Sequence, residues 1–154
     1  MILIRIKTHY GHHEDVYQRG KSEGNPQWSD ETQLNRDTRR LSHLLSYAEV
    51  PQLGNCLELG FGTGDTLIWL HQQDYNYTGV DISNTAIAPA RDRTKNLNGI
   101  QFRRQDITRK PLEAINEYSV IVENRFLHCI IGEDRENLLN YLGRVNSRMI
   151  LSRQ

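Results

Sequence analysis

Apolar and polar positions change their period several times along this chain, and each change marks an element. The first nine residues alternate apolar and basic side chains, from Ile2 and Leu3 to Lys7, which predicts a short strand or a loose arm. Residues 10–28 turn polar, with Gly20, Gly24 and Pro26 among them, and predict a loop or a mobile lid. Residues 1–28 therefore read as an N-terminal arm. Ser29 and Asp30 suit a helix start, and Leu34, Leu41, Leu44, Leu45 and Ala48 follow at helical spacing until Pro51 and Gly54 stop the pattern. From there the apolar runs shorten. Residues 56–59 and 118–123 predict strands buried on both faces, residues 77–81 and 100–102 two more, and residues 149–151 a last one. Between them, residues 65–73 and 134–142 carry helical spacing, and Ser83 caps a helix whose inner face holds Ala86, Ile87, Ala90 and Leu97. Strands alternating with helices specify an α/β domain over residues 29–154, with a doubly wound, mainly parallel sheet and right-handed crossovers.

The segment with the most chemistry is Leu57-Glu58-Leu59-Gly60-Phe61-Gly62-Thr63-Gly64-Asp65. It leaves a strand and enters a helix, where an open α/β sheet binds ligands. Glycines at every second position remove the side chains that would keep a ligand from the backbone. Asp81 ends the next strand about 20 residues on, where a carboxylate can accept both hydroxyls of an adenosine ribose. A dinucleotide fingerprint would place its third glycine at position 65, which is Asp65. A carboxylate there repels a pyrophosphate and tolerates a cation. The pattern predicts an adenosine ligand without phosphates.

These residues resemble a known family. Glu58-Leu59-Gly60-Phe61-Gly62-Thr63-Gly64 is similar to the first motif of class I S-adenosylmethionine-dependent methyltransferases, and Thr78-Gly79-Val80-Asp81-Ile82-Ser83 to their second. Phe102-Arg103-Arg104-Gln105-Asp106-Ile107 resembles the third motif. Val122-Glu123-Asn124-Arg125-Phe126-Leu127-His128-Cys129-Ile130 resembles the fourth, as in the small-molecule branch of thiopurine and tellurite-resistance enzymes. The resemblance implies a Rossmann-like methyltransferase fold and S-adenosylmethionine as cofactor. It implies that the Gly60, Phe61, Gly62, Thr63 and Gly64 loop lies along the methionine part, with Glu58 either orienting the loop or meeting the ammonium group through water. Asp81 would hold the ribose and Ile82 cover the adenine, while Asp106 accepts from the adenine amino group beside Ile107. Glu123 stands where the fourth motif usually has aspartate. His128 is the candidate general base, and Trp28 and Arg125 are candidate substrate contacts.

Composition narrows the partners. The 154 residues carry 19 acidic and 19 basic side chains, so no global field recruits a polyanion. No basic tract with interleaved aromatics suggests nucleic acid, and no apolar run reaches the ~18 residues of a membrane span. The start of the chain is too charged for a secretory signal, which with two isolated cysteines, Cys56 and Cys129, predicts buried thiols and a cytoplasmic location. His9, His12, His13 and Glu14 sit in a polar stretch and predict solvated side chains, with no metal site. The expected partner is a small-molecule substrate. Against the family pattern, the chain stops at the fifth strand, lacking the usual last strands. That leaves an exposed sheet edge open to a homodimer or to the arm at residues 2–6. Two functional classes follow: an enzyme methylating a small molecule, or a catalytically incomplete S-adenosylmethionine-binding or interaction protein of the same fold.

Overall fold

The structure, a computed structural model, describes residues 11–24, 31–47, 50–51, 53–145 and 148–152. Its strands are β1 (Gly54–Leu59), β2 (Tyr75–Asp81), β3 (Ile100–Arg104), β4 (Val120–Asn124) and β5 (Arg148–Ser152). All pair in parallel, in the spatial order β3-β2-β1-β4-β5. The order reverses at β1, so the crevice for a ligand opens where β1 and β4 part at their carboxyl ends. Among the described residues β3 and β5 are the sheet edges.

Period-two alternation divides the strand residues between two cores. Cys56, Tyr77, Val120 and Val122 point to one face, where α2 (Glu31–Tyr47), α3 (Leu67–His71) and α4 (Asn84–Thr94) bring Leu41, Leu67, Leu70, Ile87 and Ala90. Leu57, Leu59, Val80 and Ile121 point to the other, against Leu138 and Leu142 of α5 (Gly132–Leu142) and against Leu112, Ile115, Leu127 and Ile130. Both faces are covered, which is why the central strands read as continuous apolar runs.

Four expectations change. Residues expected to be a loop or lid contain a helix, α1 (Gly11–Ser22). It has a polar surface, but His13, Glu14, Val16, Tyr17 and Gly20 form a half-buried stripe at helical spacing, and the helix packs on α4. The Glu14 carboxylate accepts from the Thr85 hydroxyl at the start of α4, a favourable place for negative charge. Helix α3 begins at Leu67, two residues late, because residues 64–66 are used in the turn and the Thr66 hydroxyl donates to Glu58 instead of capping. Helix α4 does start at Ser83, whose Oγ accepts from Ala86 N at 3.0 Å, but it stops at Thr94 and leaves Leu97 39% exposed, off the inner face. Cys56 is buried, but Cys129 is only half-buried. Trp28, the caps Ser29 and Asp30, and residues 1–10 lie outside the described residues.

Candidate active site

The glycine loop is held from below by two buried carboxyl groups. Glu58, on β1 and 2% exposed, accepts from Tyr77 Oη at 2.6 Å and from the Thr66 hydroxyl, which ties β1 to β2 and to the start of α3. Burial, ahead of these hydrogen bonds, pushes its pKa up to about 7. Asp81, at the end of β2, accepts from Gly62 N and Ser83 N, each at 2.9 Å. Burial also raises its pKa, against the opposing pull of those backbone donors and of His13. Gly60 and Gly62 have φ of 66° and 58°, the left-handed region that side chains rarely adopt. A Cβ on Gly60 would lie 2.3 Å from the Phe126 ring, and one on Gly62 2.6 Å from Tyr17 Oη. The loop therefore touches both opposing walls.

Those walls come from elsewhere in the chain. Glu123 accepts from Phe126 N at 2.6 Å and Leu127 N at 2.8 Å, closing the turn after β4 that carries Asn124, Arg125 and Phe126. Arg125 takes a left-handed backbone (φ 61°), and its Nη2 pairs with Asp37 Oδ2 of α2 at 2.7 Å. Asp37 is buried and accepts also from Gln33 Nε2 at 2.8 Å. On the far side stand His13 and Tyr17 of α1. Together with Asp106, Ile107 and Thr108 after β3, these elements line an open-mouthed cleft.

Most of the residues expected at the site do line it. Glu58, Gly60, Phe61, Gly62, Thr63, Asp81, Ile82, Asp106, Ile107 and Arg125 are on its wall. Phe61 serves two purposes, since its ring also packs on Phe102 with centroids 5.2 Å apart. Three residues stand off the wall. Gly64 backs onto α4, where its Cβ would meet Ala90 at 3.1 Å. Glu123 is 4% exposed and spent on its turn. His128 is exposed, with Nε2 3.3 Å from Cys129 Sγ, and it is Cys129 that faces the cleft. Sequence reading missed His13, Tyr17 and Asn124. A helical stripe through residues 13, 16, 17 and 20 was the available signal for the first two. Nothing local announced the third.

The donor set fits the cofactor that the motifs imply. Asp65, Asp81 and Asp106 line the cleft, while the one arginine among its described lining residues, Arg125, is already engaged by Asp37. That balance suits a cationic ligand without phosphates. A family model for the methyltransferase domain matches residues 56–147, more than half of the chain.

The chain belongs to the methyltransferase-domain family.

Its motifs are similar to those of the class I S-adenosylmethionine-dependent enzymes, and they imply S-adenosylmethionine as the cofactor. Over 97 residues it is 34% identical to a non-reducing polyketide synthase of Penicillium brasilianum, a match covering 58% of this chain and 4% of the synthase. The chain thus spans a small fraction of the curated relatives it matches. Its fold is similar to the N-methyltransferase NodS of Bradyrhizobium japonicum in complex with S-adenosyl-L-homocysteine (TM-score 0.72, 20% identity, 90% of this chain and 71% of that one). It is also similar to the magnesium protoporphyrin IX methyltransferase of Synechocystis with bound S-adenosylhomocysteine (TM-score 0.69, 17% identity, 92% and 68%). The likeness to thiopurine and tellurite-resistance enzymes rests on the motifs alone. No described helix is long and apolar enough to cross a membrane.

Proposed function

We propose that this methyltransferase acts on a small-molecule acceptor held in the cleft between the glycine loop, the turn after β4 and α1. The observation that supports this best is the make-up of the cleft: an apolar wall of Phe61, Val80, Ile107, Phe126 and Ile130 with a few polar groups set into it. The bound cofactor supplies a methyl group already activated on a sulfonium. Asp81 and Asp106 hold its adenosine end by accepting hydrogen bonds, with Ile82 and Ile107 packed beside them. The left-handed glycines bring backbone against its methionine end. What remains for the chain is to align the acceptor, exclude water and, where the acceptor carries a proton, take it away.

His13 is placed for that last task and replaces His128 in it. Burial holds its pKa below the ordinary value, and His12 and His128 lower it further, while Asp81 pulls the other way. The imidazole is therefore neutral near pH 7 and able to accept a proton. The polyketide synthases among the relatives add β-keto thioesters to the acceptors worth trying, beside thiols, selenium, tellurium and arsenic compounds. The test is titration calorimetry with S-adenosylhomocysteine, followed by turnover of that panel by the parent and His13→Ala. We expect binding, turnover of at least one acceptor, and a loss of about 100-fold in kcat for His13→Ala, with cofactor affinity within threefold. A protein that binds S-adenosylhomocysteine but methylates none of these small molecules overturns the acceptor class. One that does not bind it overturns the site.

A further inference from the structure

Besides the contacts within its own wall, the glycine loop is fastened from behind by α4. Arg93, in the last turn of that helix, does not belong to the described lining of the cleft. Its Nη2 nevertheless donates to the carbonyl oxygen of Thr63 and stands 3.7 Å from Asp65 Oδ1. The same Asp65 oxygen accepts from the Thr63 hydroxyl at 3.0 Å, which closes a ring of contacts around Gly64. A Cβ on Gly64 would lie 3.4 Å from that guanidinium nitrogen, so the loop packs directly against it. The two charges are unequally placed. Asp65 is on the cleft wall with its side chain 15% exposed, and Arg93 is behind the wall at 33%.

Charges placed this way act on a ligand without touching it. A carboxylate on the wall attracts a cation in the cleft, and a guanidinium behind the wall offsets that attraction. The cofactor carries a positive sulfonium, while the product left after transfer is a neutral thioether. Whatever offsets Asp65 therefore sets how differently the cleft holds the two. An unmasked carboxylate would hold the sulfonium too well. Its positive charge fades in the transition state, so attraction felt mainly by the ground state raises the barrier.

Resting on the cofactor reading given above, we propose that Arg93 is a positioning residue that sets, from outside the cleft, its discrimination between a cationic and a neutral adenosyl ligand. By pairing with Asp65 it holds down the preference for the sulfonium form. Through Thr63 it fixes the loop that both forms share. It touches neither the ligand nor the reacting atoms.

The experiment is titration calorimetry with S-adenosylmethionine and S-adenosylhomocysteine, and the quantity read is the ratio of their affinities. The proteins are the parent, Arg93→Gln, Arg93→Lys, Asp65→Asn and the double variant Arg93→Gln, Asp65→Asn, each checked for folding by circular dichroism. Arg93→Met stands in should glutamine fail to fold. The preference for S-adenosylmethionine should rise at least about threefold in Arg93→Gln and fall at least about threefold in Asp65→Asn. It should return to within about twofold of the parent in the double variant, where both charges are gone. Lysine keeps the charge but not the planar guanidinium, so Arg93→Lys should weaken both ligands alike and leave the ratio within about twofold of the parent. A purely structural arginine would lower both affinities in Arg93→Gln and leave their ratio where it was. That result, or a ratio that falls in Arg93→Gln, overturns the proposal. A parent that binds neither ligand is a different failure, and it strikes the cofactor reading itself.

Discussion

The glycine-loop wall of the cleft is tied together by contacts 8 to 19 residues apart in sequence, from Glu58 to Thr66 and from Gly62 to Asp81. The opposite wall is tied by contacts 71 to 88 residues apart: Glu14 to Thr85, Asn124 and Arg125 to Asp37. The first wall works through backbone shape, with glycines at positive φ and a carboxylate fixing one of their amides. The second works through paired side chains brought from α1, α2 and the turn after β4. Damage to the first should therefore appear as lost binding, and damage to the second as lost stability or altered selection.

Gly62→Val sharpens that contrast most. Its φ of 58° costs a β-branched residue about 1–2 kcal/mol, and its Cβ would collide with Tyr17 Oη. The variant should keep the circular dichroism of the parent and lose S-adenosylhomocysteine affinity by more than about 100-fold, or ~3 kcal/mol. Unchanged affinity would show that the glycine serves the turn and not the ligand.

Asp37→Ala attacks the second wall. It leaves the Arg125 guanidinium and the Asn124 amide without their shared acceptor inside the fold. Breaking a buried pair from one side costs about 3–4 kcal/mol, toward the lower end because Arg125 is 26% exposed. Thermal melting should fall by roughly 6–15 °C, and the double variant Asp37→Ala, Arg125→Ala should recover part of the loss. An equal melting temperature for Asp37→Ala would mean that the pair adds nothing.

What the sequence disclosed follows the same division. The strand ends, the glycine loop and Asp81 were legible because their geometry is written in adjacent residues: glycine where φ is positive, an acid at a strand end, apolar runs where both sheet faces are covered. Helix α1 was misread because its stripe of His13, Val16, Tyr17 and Gly20 is only half-buried, with too few apolar residues to announce a period. Glu123 was placed in the site by its motif position, yet a side chain one methylene longer than aspartate reaches two backbone amides of its own turn. Asp37 could not be read at all. An acid within an amphipathic helix reads as a solvated side chain until its partners, arriving from β4, are seen.

Glu58→Gln gives a smaller and pH-dependent effect within the first wall. The folded carboxyl titrates at about 7 against an ordinary 4.5, so the fold favours its neutral form. Its proton is held more tightly folded than unfolded, and stability therefore falls as pH rises from about 4.5 to 7. Glutamine removes that slope. The stability difference between variant and parent should be flat below pH 4.5 and grow in favour of the variant to roughly 2–3 kcal/mol above pH 7. Subtracting the two curves cancels the contributions of Asp81 and His13, which the substitution leaves in place. A parallel pair of urea-denaturation curves across pH 4.5–8 would contradict the burial cause.

The smallest effect belongs to the outermost contact, where α1 meets α4. Glu14 accepts from the Thr85 hydroxyl and, at 3.2 Å, from Gln18 Nε2 within its own helix. Its carboxylate stands at the N-terminal end of α4, and its pKa is lowered by hydrogen bonds from Ser83, Thr85 and Gln18 that outweigh a burial effect of opposite sign. A carboxyl lowered in the fold adds stability above its ordinary pKa and loses it as pH falls below that value. The group is only half-buried and its contact lies at the edge of the fold, so Glu14→Gln should cost no more than about 0.5–1 kcal/mol. The informative readout is local. Helix α1 shares its main contacts with α4 alone among the described elements, so loosening this end should open α1 without opening the sheet. Amide hydrogen exchange should speed up in residues 12–22 at pH 7 while residues 56–62 and 120–123 keep their protection. His13 and Tyr17 ride on that helix, so affinity for S-adenosylhomocysteine should fall by threefold or less and turnover by more. Equal acceleration across β1 and α1 would show that the two walls unfold as one unit, and the division drawn between them would fail.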